Sequence, residues 1–316
     1  MEIIRDLNSL RPYPFPVIAL GNFDGVHIGH QTILRAAIDR AQATGGSALA
    51  VTFDPLPAKV LNPNRAPRLI MTPEDKHESL RSFGLHGVIV LTFSRELSML
   101  PAEEFVRDYL RRRIGACVVV VGHNVSFGHA RAGNADVMQR LGRELGFETT
   151  VVGPIERDGI AVSSTQVRQL IGAGEMKRTA ALLGRPHFLR GPVVRGRERG
   201  RTIGFPTANI QSRTECLPPD GVYATRVVLE EGSYQSITNI GMRPTFGEPE
   251  RTIEAHIFNF NRDIYGREVK LQIAARIRPE RKFDSAQALA TQIASDLQRA
   301  KEILAADMVT EVDHPK

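Results

Sequence analysis

Two histidines three residues apart, His27 and His30, lie in the run Gly21-Asn22-Phe23-Asp24-Gly25-Val26-His27-Ile28-Gly29-His30. That spacing puts both imidazoles on one side of a first helical turn, where each can donate a hydrogen bond to a common anion. The glycines at 21, 25 and 29 let backbone approach a ligand closely. A helix N-terminus adds unpaired N–H groups and partial positive charge, so the chemistry these residues suit is binding of a nucleotide phosphate. Two other readings stand beside it. A His-x-x-His pair also serves metal, with His123 and His129 as further ligands, although zinc sites usually cluster their ligands more tightly. Surface residues of no consequence are the other reading, which the three surrounding glycines disfavour.

A second group is Gly204-Phe205-Pro206-Thr207-Ala208-Asn209. Proline fixes the local geometry, and Thr207 and Asn209, two apart on an extended segment, face one side. A hydroxyl and an amide oxygen are hard ligands suited to Mg²⁺ carrying a nucleotide; a β-bulge with two polar surface residues accounts for the same pattern. The cluster Arg195-Gly196-Arg197-Glu198-Arg199-Gly200-Arg201 runs into it. It reads as an RNA-binding segment, as a loop gripping a small phosphorylated ligand, or as a solvated turn; few aromatics lie nearby, which disfavours RNA.

In Val162-Ser163-Ser164-Thr165-Gln166-Val167-Arg168 the hydroxyls precede a helical run. One of them serves as N-cap, and the others, with Arg168 one turn on, suit the outer phosphates of a triphosphate. The chain contains no Gly-x-x-x-x-Gly-Lys-Ser/Thr loop, so any kinase chemistry is not of the P-loop kind. Phosphoryl transfer also needs a proton acceptor. Glu268, after Tyr265-Gly266-Arg267, is a candidate that composition alone does not separate from any other strand glutamate.

The elements that must position these groups fall into two patterns. At 316 residues, two domains are expected. A hydrophobic fraction of 42% and a charged fraction of 24% are ordinary for a globular protein. No apolar run is long enough for a bilayer and the start of the chain lacks a secretory signal, so a cytoplasmic setting without membrane contact is expected. Cys117 and Cys216 read as buried thiols. The net charge of +6 fits polyphosphate ligands as well as nucleic acid.

Apolar runs at 17–21, 48–53, 88–93, 117–122 and 149–152 alternate with helical patterns at 30–43, 73–83, 101–112 and 135–145. This predicts an α/β fold, a doubly wound parallel sheet of five strands. Ligands bind such sheets where the winding reverses, which selects the loops after the first and fourth strands. The latter is Gly122-His123-Asn124-Val125-Ser126-Phe127-Gly128. A helix over 175–183 stops at Gly184-Arg185-Pro186. Beyond it, alternation at 222–229, 236–240, 252–260 and 268–277 predicts a closed antiparallel β-barrel, followed by a helix at 285–304 and a frayed end from 308.

Five motifs in this order resemble the bacterial bifunctional riboflavin kinase/FMN adenylyltransferase (FAD synthetase) family, up to about Ala305. They are residues 21–30, Ser163-Ser164-Thr165 with Arg168, Gly204 to Asn209 as written above, Leu217-Pro218-Pro219-Asp220-Gly221-Val222-Tyr223, and Asn239-Ile240-Gly241-Met242-Arg243-Pro244-Thr245-Phe246-Gly247. The resemblance implies a Rossmann-like nucleotidylyltransferase domain over 1–184, a riboflavin kinase barrel over 187–305 and a flexible tail over 306–316. It implies two reactions: riboflavin with ATP gives FMN and ADP, then FMN with ATP gives FAD and pyrophosphate.

In the first domain His27 and His30 would stabilise charge at the α-phosphate during in-line attack. Gly21, Asn22, Phe23 and Asp24 would line the nucleotide site, Ser163, Ser164, Thr165 and Arg168 would hold the outer phosphates, and Asn124 and Phe127 would face the flavin pocket. In the barrel Thr207 and Asn209 would hold Mg-ATP, Gly196 and Gly200 would belong to a phosphate-facing flap, and Glu268 would take the ribityl proton. The implied partners are riboflavin, FMN, FAD and ATP, with Mg²⁺, no tightly bound cofactor, no nucleic acid, and a monomer or weak homo-oligomer. Leu56 stands where the family usually has histidine, Val125 replaces an aromatic, and Arg199 an apolar residue. The first two prompt an alternative, a kinase with weak or altered adenylyltransferase activity; an RNA-binding protein is the third expectation.

Overall fold

The computed structural model describes residues 1–196, 205–243 and 250–312. It divides into two compact units, Met1–Arg68 with Pro73–Ser164, and Leu69–Thr72 with Thr165–Lys316.

In the first unit β1 (Glu2–Ile4), β2 (Pro16–Leu20), β3 (Ser47–Asp54), β4 (Gly87–Thr92), β5 (Val118–Gly122) and β6 (Glu148–Val152) form one parallel sheet in the order β1-β4-β3-β2-β5-β6. The central strands are buried along nearly their whole length, the signature of a sheet covered on both faces. Six strands stand where five were expected. The extra one, β1, is three residues long at the sheet edge, too short to show a period. The order reverses between β2 and β5, so the loops after these two strands do flank the switch point.

The connecting helices are α1 (Ile28–Thr44), α2 (Pro57–Leu61), α3 (Pro73–Arg81), α4 (Arg95–Ser98), α5 (Ala102–Glu104, continuing as π-helical turns over Phe105–Arg113) and α6 (Ala135–Leu145). Left-handed glycines stop two of them, Gly45 at φ 62° after α1 and Gly146 at φ 75° after α6.

The second unit takes in most of α7 (Ser164–Ala173) and all of α8 (Met176–Leu183). A two-residue hairpin, β7 (Glu156–Arg157) with β8 (Ile160–Ala161), precedes them in the chain. The barrel is built from β9 (His187–Val194), β10 (Ala208–Ile210), β11 (Gly221–Leu229), β12 (Gly232–Arg243), β13 (Glu250–Ile257) and β14 (Glu268–Pro279), closed in the order β10-β13-β12-β11-β14-β9. Alternate residues point inward, so Leu189, Tyr223, Ile253 and Leu271 fill the interior while the next residues face out.

Four strands were legible from alternation; β9 and β10 complete the closure. Pro192 and Gly191 obscured β9, and Gly191 is required there, because a Cβ would lie 1.9 Å from the Gln211 carbonyl oxygen. The closing helix α9 (Ala286–Val312) runs past Leu304, where the periodic pattern ends. Its Leu297, Ala300 and Leu304 pack on Val222, Ala224 and Ile237 of the outer barrel wall.

Candidate active sites

In the first unit the candidate site is the turn from β2 into α1. His27 is the N-cap of α1: its Nδ1 accepts from the His30 N–H at 3.2 Å. The neutral ring therefore carries its proton on Nε2, as a donor. The two imidazoles stack with centroids 3.6 Å apart and 14° between planes, and Phe23 meets the His30 ring edge to face at 5.3 Å. The turn is wound through left-handed conformations at Phe23 (φ 53°), Gly25 (φ 85°) and Val26 (φ 42°). Such geometry is costly for a β-branched residue and persists only where its surroundings hold it. Gln31 Nε2 donates to the Val26 carbonyl, Thr52 Oγ1 to the Asn22 carbonyl at 3.1 Å, and Ser164 Oγ to the Asp24 carbonyl at 2.9 Å.

The structure thus brings Asn22, Phe23, Asp24, His27, His30 and Ser164 together. Gly21 leaves room for the Phe23 ring, and Gly29 for the His27 ring, each within 3.3 Å of where a Cβ would stand. Thr165 and Arg168 follow Ser164 on α7, Arg168 one turn beyond the helix start. The metal reading of the histidines finds no support: stacked rings do not converge on one ion, and no group of three or more His, Cys, Asp or Glu suited to a metal occurs among the described residues. At the end of β5, Gly122 makes space for the Asn124 amide, whose Oδ1 lies 3.4 Å from where a Cβ would stand. Phe127 instead packs into the core on Phe105, ring centroids 6.1 Å apart.

A residue that sequence reading missed stands behind this turn. Lys76 of α3 is only 8% exposed and donates from Nζ to Thr52 Oγ1 and the Phe53 carbonyl, both at 3.3 Å. Burial pushes its pKa below the ordinary lysine value, opposed by the Asp54 and Asp24 carboxylates.

In the barrel unit, two cavities share Thr207. One, of ≈ 390 Å³, lies on the outer wall and is lined by Glu254, Asn239, Arg278 and Phe283 among others, with Leu289, Ile293 and Asp296 of α9. The other, of ≈ 520 Å³, is lined by Ala208, Ile257, Phe260, Arg262, Ile264 and Tyr265 among others. His256 Nδ1 donates to the Pro206 carbonyl at 2.8 Å and so fixes the segment carrying Thr207. Arg278 is paired with the buried Asp296 at 2.9 Å, tying α9 to β14 beside the first cavity.

Asn209 of β10 stands directly opposite Glu254 of β13, which stands opposite Asn239 of β12. Directly opposed residues share a sheet face, so amide, carboxylate and amide form one row beside Thr207. Gly196 packs against the Asn209 amide, where a Cβ would stand 2.2 Å from Nδ2. Gly200 lies outside the described residues. Glu268 does not join this row: it opposes Pro192, is exposed, pairs with Arg213, and lines neither cavity. The pattern that could have found Glu254 is the strand alternation itself, which makes its neighbours Ile253 and Ala255 inward-facing.

Comparisons with known proteins agree over both units. The FAD synthetase family model matches residues 14–166 and the riboflavin kinase model residues 183–304. The bifunctional riboflavin kinase/FMN adenylyltransferase of Escherichia coli strain K12 is 34% identical over 305 residues, 96% of this chain and 97% of that one. The protein of the same name from Pseudomonas fluorescens is 36% identical over 308 residues, 96% and 98% of the two chains. A crystal structure described as a macrolide-efflux protein from Streptococcus pneumoniae superposes with a TM-score of 0.87 at 33% identity, covering 95% of this chain and 98% of that one. Among the described residues no helix is long and apolar enough to cross a membrane. The chain belongs to the bifunctional riboflavin kinase/FMN adenylyltransferase family, with the FAD synthetase half N-terminal and the riboflavin kinase half C-terminal.

Proposed function

We propose that the barrel transfers the γ-phosphoryl group of ATP to the ribityl hydroxyl of riboflavin, and that the turn at residues 21–30 then joins FMN to the AMP moiety of a second ATP, releasing pyrophosphate. The observation that supports the kinase step best is the pair of cavities meeting at Thr207. A flavin in one and a nucleotide in the other would meet at a hydroxyl, with the apolar wall of Leu289, Ile293 and Phe283 suited to an aromatic ring system.

Thr207 and Asn209 offer a hydroxyl and an amide oxygen, hard donors that fit Mg²⁺. The ion would neutralise phosphate charge. Glu254, rather than Glu268, would accept the ribityl proton in this reading, which its position in the cavity wall supports. In the first unit no covalent enzyme intermediate is needed. The His27 Nε2–H and the stacked His30 ring would stabilise charge on the α-phosphate while the FMN phosphate attacks in line. Asn22, Phe23 and Asp24 would line this site, Ser163 and Ser164 would close it, and Asn124 would reach it from the loop after β5.

This reading places the enzyme in the cytoplasm with riboflavin, FMN, FAD and ATP as its small-molecule partners. Purified full-length chain given riboflavin and Mg-ATP is expected to accumulate FMN and then FAD, read by chromatography of the flavins. Folded protein that makes neither overturns the reading, and protein that makes FMN but converts no supplied FMN to FAD confines it to the kinase.

A further inference from the structure

Lysine is among the residues least often buried, and burying an ammonium costs several kcal/mol unless partners replace its water. Lys76 nevertheless turns inward from α3 toward the C-terminal end of β3. Two hydrogen bonds meet it there, and two carboxylates, Asp54 and Asp24, act on it electrostatically. Arg5, 3.3 Å from Asp54, draws on that carboxylate as well, and the neighbouring His77 feels Asp54, Arg5, Glu74 and Lys76 itself.

The hydrogen bonds have a fixed direction. An ammonium only donates, so Thr52 Oγ1 accepts from Lys76 and its single proton goes to the Asn22 carbonyl. Lys76 is thereby two bonds from the backbone that begins the left-handed turn. Asp24 itself is 4% exposed, within the turn that must receive a polyphosphate. An unbalanced carboxylate there would repel the ligand.

We propose that Lys76 is a positioning residue for adenylyl transfer, holding the Asn22 carbonyl through Thr52 and balancing Asp24 so that His27 and His30 are presented to an anionic ligand. The proposal rests on the assignment of FAD formation to this unit.

The test compares Lys76→Met, Lys76→Arg and Thr52→Val in the full chain, with FMN formation followed in the same preparations. Lys76→Met is expected to lower kcat for FAD formation by about 30-fold or more and to raise KM for ATP, with Lys76→Arg recovering most of the loss. Thr52→Val is expected to lower kcat by about 5-fold and to add nothing further in the Lys76→Met background. FMN formation stays within about twofold throughout.

Lys76→Met with FAD formation within about threefold of the parent overturns the proposal. So does an equal loss in Lys76→Met and Lys76→Arg accompanied by a parallel fall in melting temperature. Should Lys76→Met not fold, Thr52→Val decides: a selective fall in kcat for FAD supports the relay, and unchanged kcat overturns it. Failure of the underlying assignment reads differently, as parent protein that forms no FAD from supplied FMN.

Discussion

The imidazoles of His27 and His30 lie face to face, 3.6 Å between centroids, with His27 also capping the helix that carries His30. Position and chemistry are therefore coupled in one side chain, and a simple truncation would confuse them. Asparagine at 27 keeps an N-cap acceptor while removing the Nε2 donor. His27→Asn and His30→Ala are each expected to lower FAD formation about 10²- to 10³-fold, the scale of removing one preorganised donor. FMN formation from riboflavin should be unchanged in both. Parallel loss of the two activities, read by flavin chromatography, would mean that the division of labour between the units is misassigned.

Glu254 and Glu268 present a choice between two carboxylates on different strands. Glu254 shares a row with Asn209 and lines the cavity at Thr207, whereas Glu268 is ion-paired with Arg213 at the surface. Glu254→Gln keeps shape and loses the proton acceptor, and it is expected to lower FMN formation about 10²- to 10⁴-fold. Glu268→Gln should leave it within about threefold, since exposed ion pairs contribute little. The reverse result would restore the role that family resemblance gave to Glu268.

What was readable in the chain follows from how far apart the cooperating residues lie. The turn at residues 21–30 was legible because its glycines, histidines and following helix are contiguous. The switch point was legible because alternating strands and helices imply a doubly wound sheet, whose winding reverses at a characteristic place. Glu254 was not, because its partner Asn209 is brought opposite by barrel register, and the residues between them carry no sign of it. Lys76 looked like any helix lysine, and only the tertiary fold shows that it points at Thr52. Phe127, expected at a ligand, fills the core beside Gly133, where a Cβ would come within 2.4 Å of its ring.

Gly196 bears on Asn209 directly. A methyl group there would stand 2.2 Å from Asn209 Nδ2, closer than any contact allows, so the amide must swing aside. The backbone itself need not move, because the displaced atom ends a side chain. Gly196→Ala is expected to raise KM for ATP in the kinase reaction and lower kcat/KM by about tenfold, with the melting temperature within a few degrees of the parent. Unchanged kinetics would show that Asn209 is not held in place for the nucleotide.

His187 supplies a pH test of the barrel. It is 1% exposed, and its Nε2–H donates to the Cys216 carbonyl at 3.0 Å. Burial pushes its pKa down from 6.5 to about 4, against the raising effect of that hydrogen bond. Between these two values the unfolded chain holds a proton that the folded chain refuses, so folding stability falls as pH drops from 6.5 and levels off below about 4. The full loss from this group is about 3 kcal/mol, with each factor of ten in proton affinity contributing 1.36 kcal/mol. Glutamine at 187 offers an amide donor in place of Nε2 and does not titrate. Denaturant unfolding of the parent and His187→Gln should therefore diverge: the parent loses stability across this window and the variant loses measurably less. Coincident pH profiles would show that the buried imidazole does not govern the barrel's acid sensitivity.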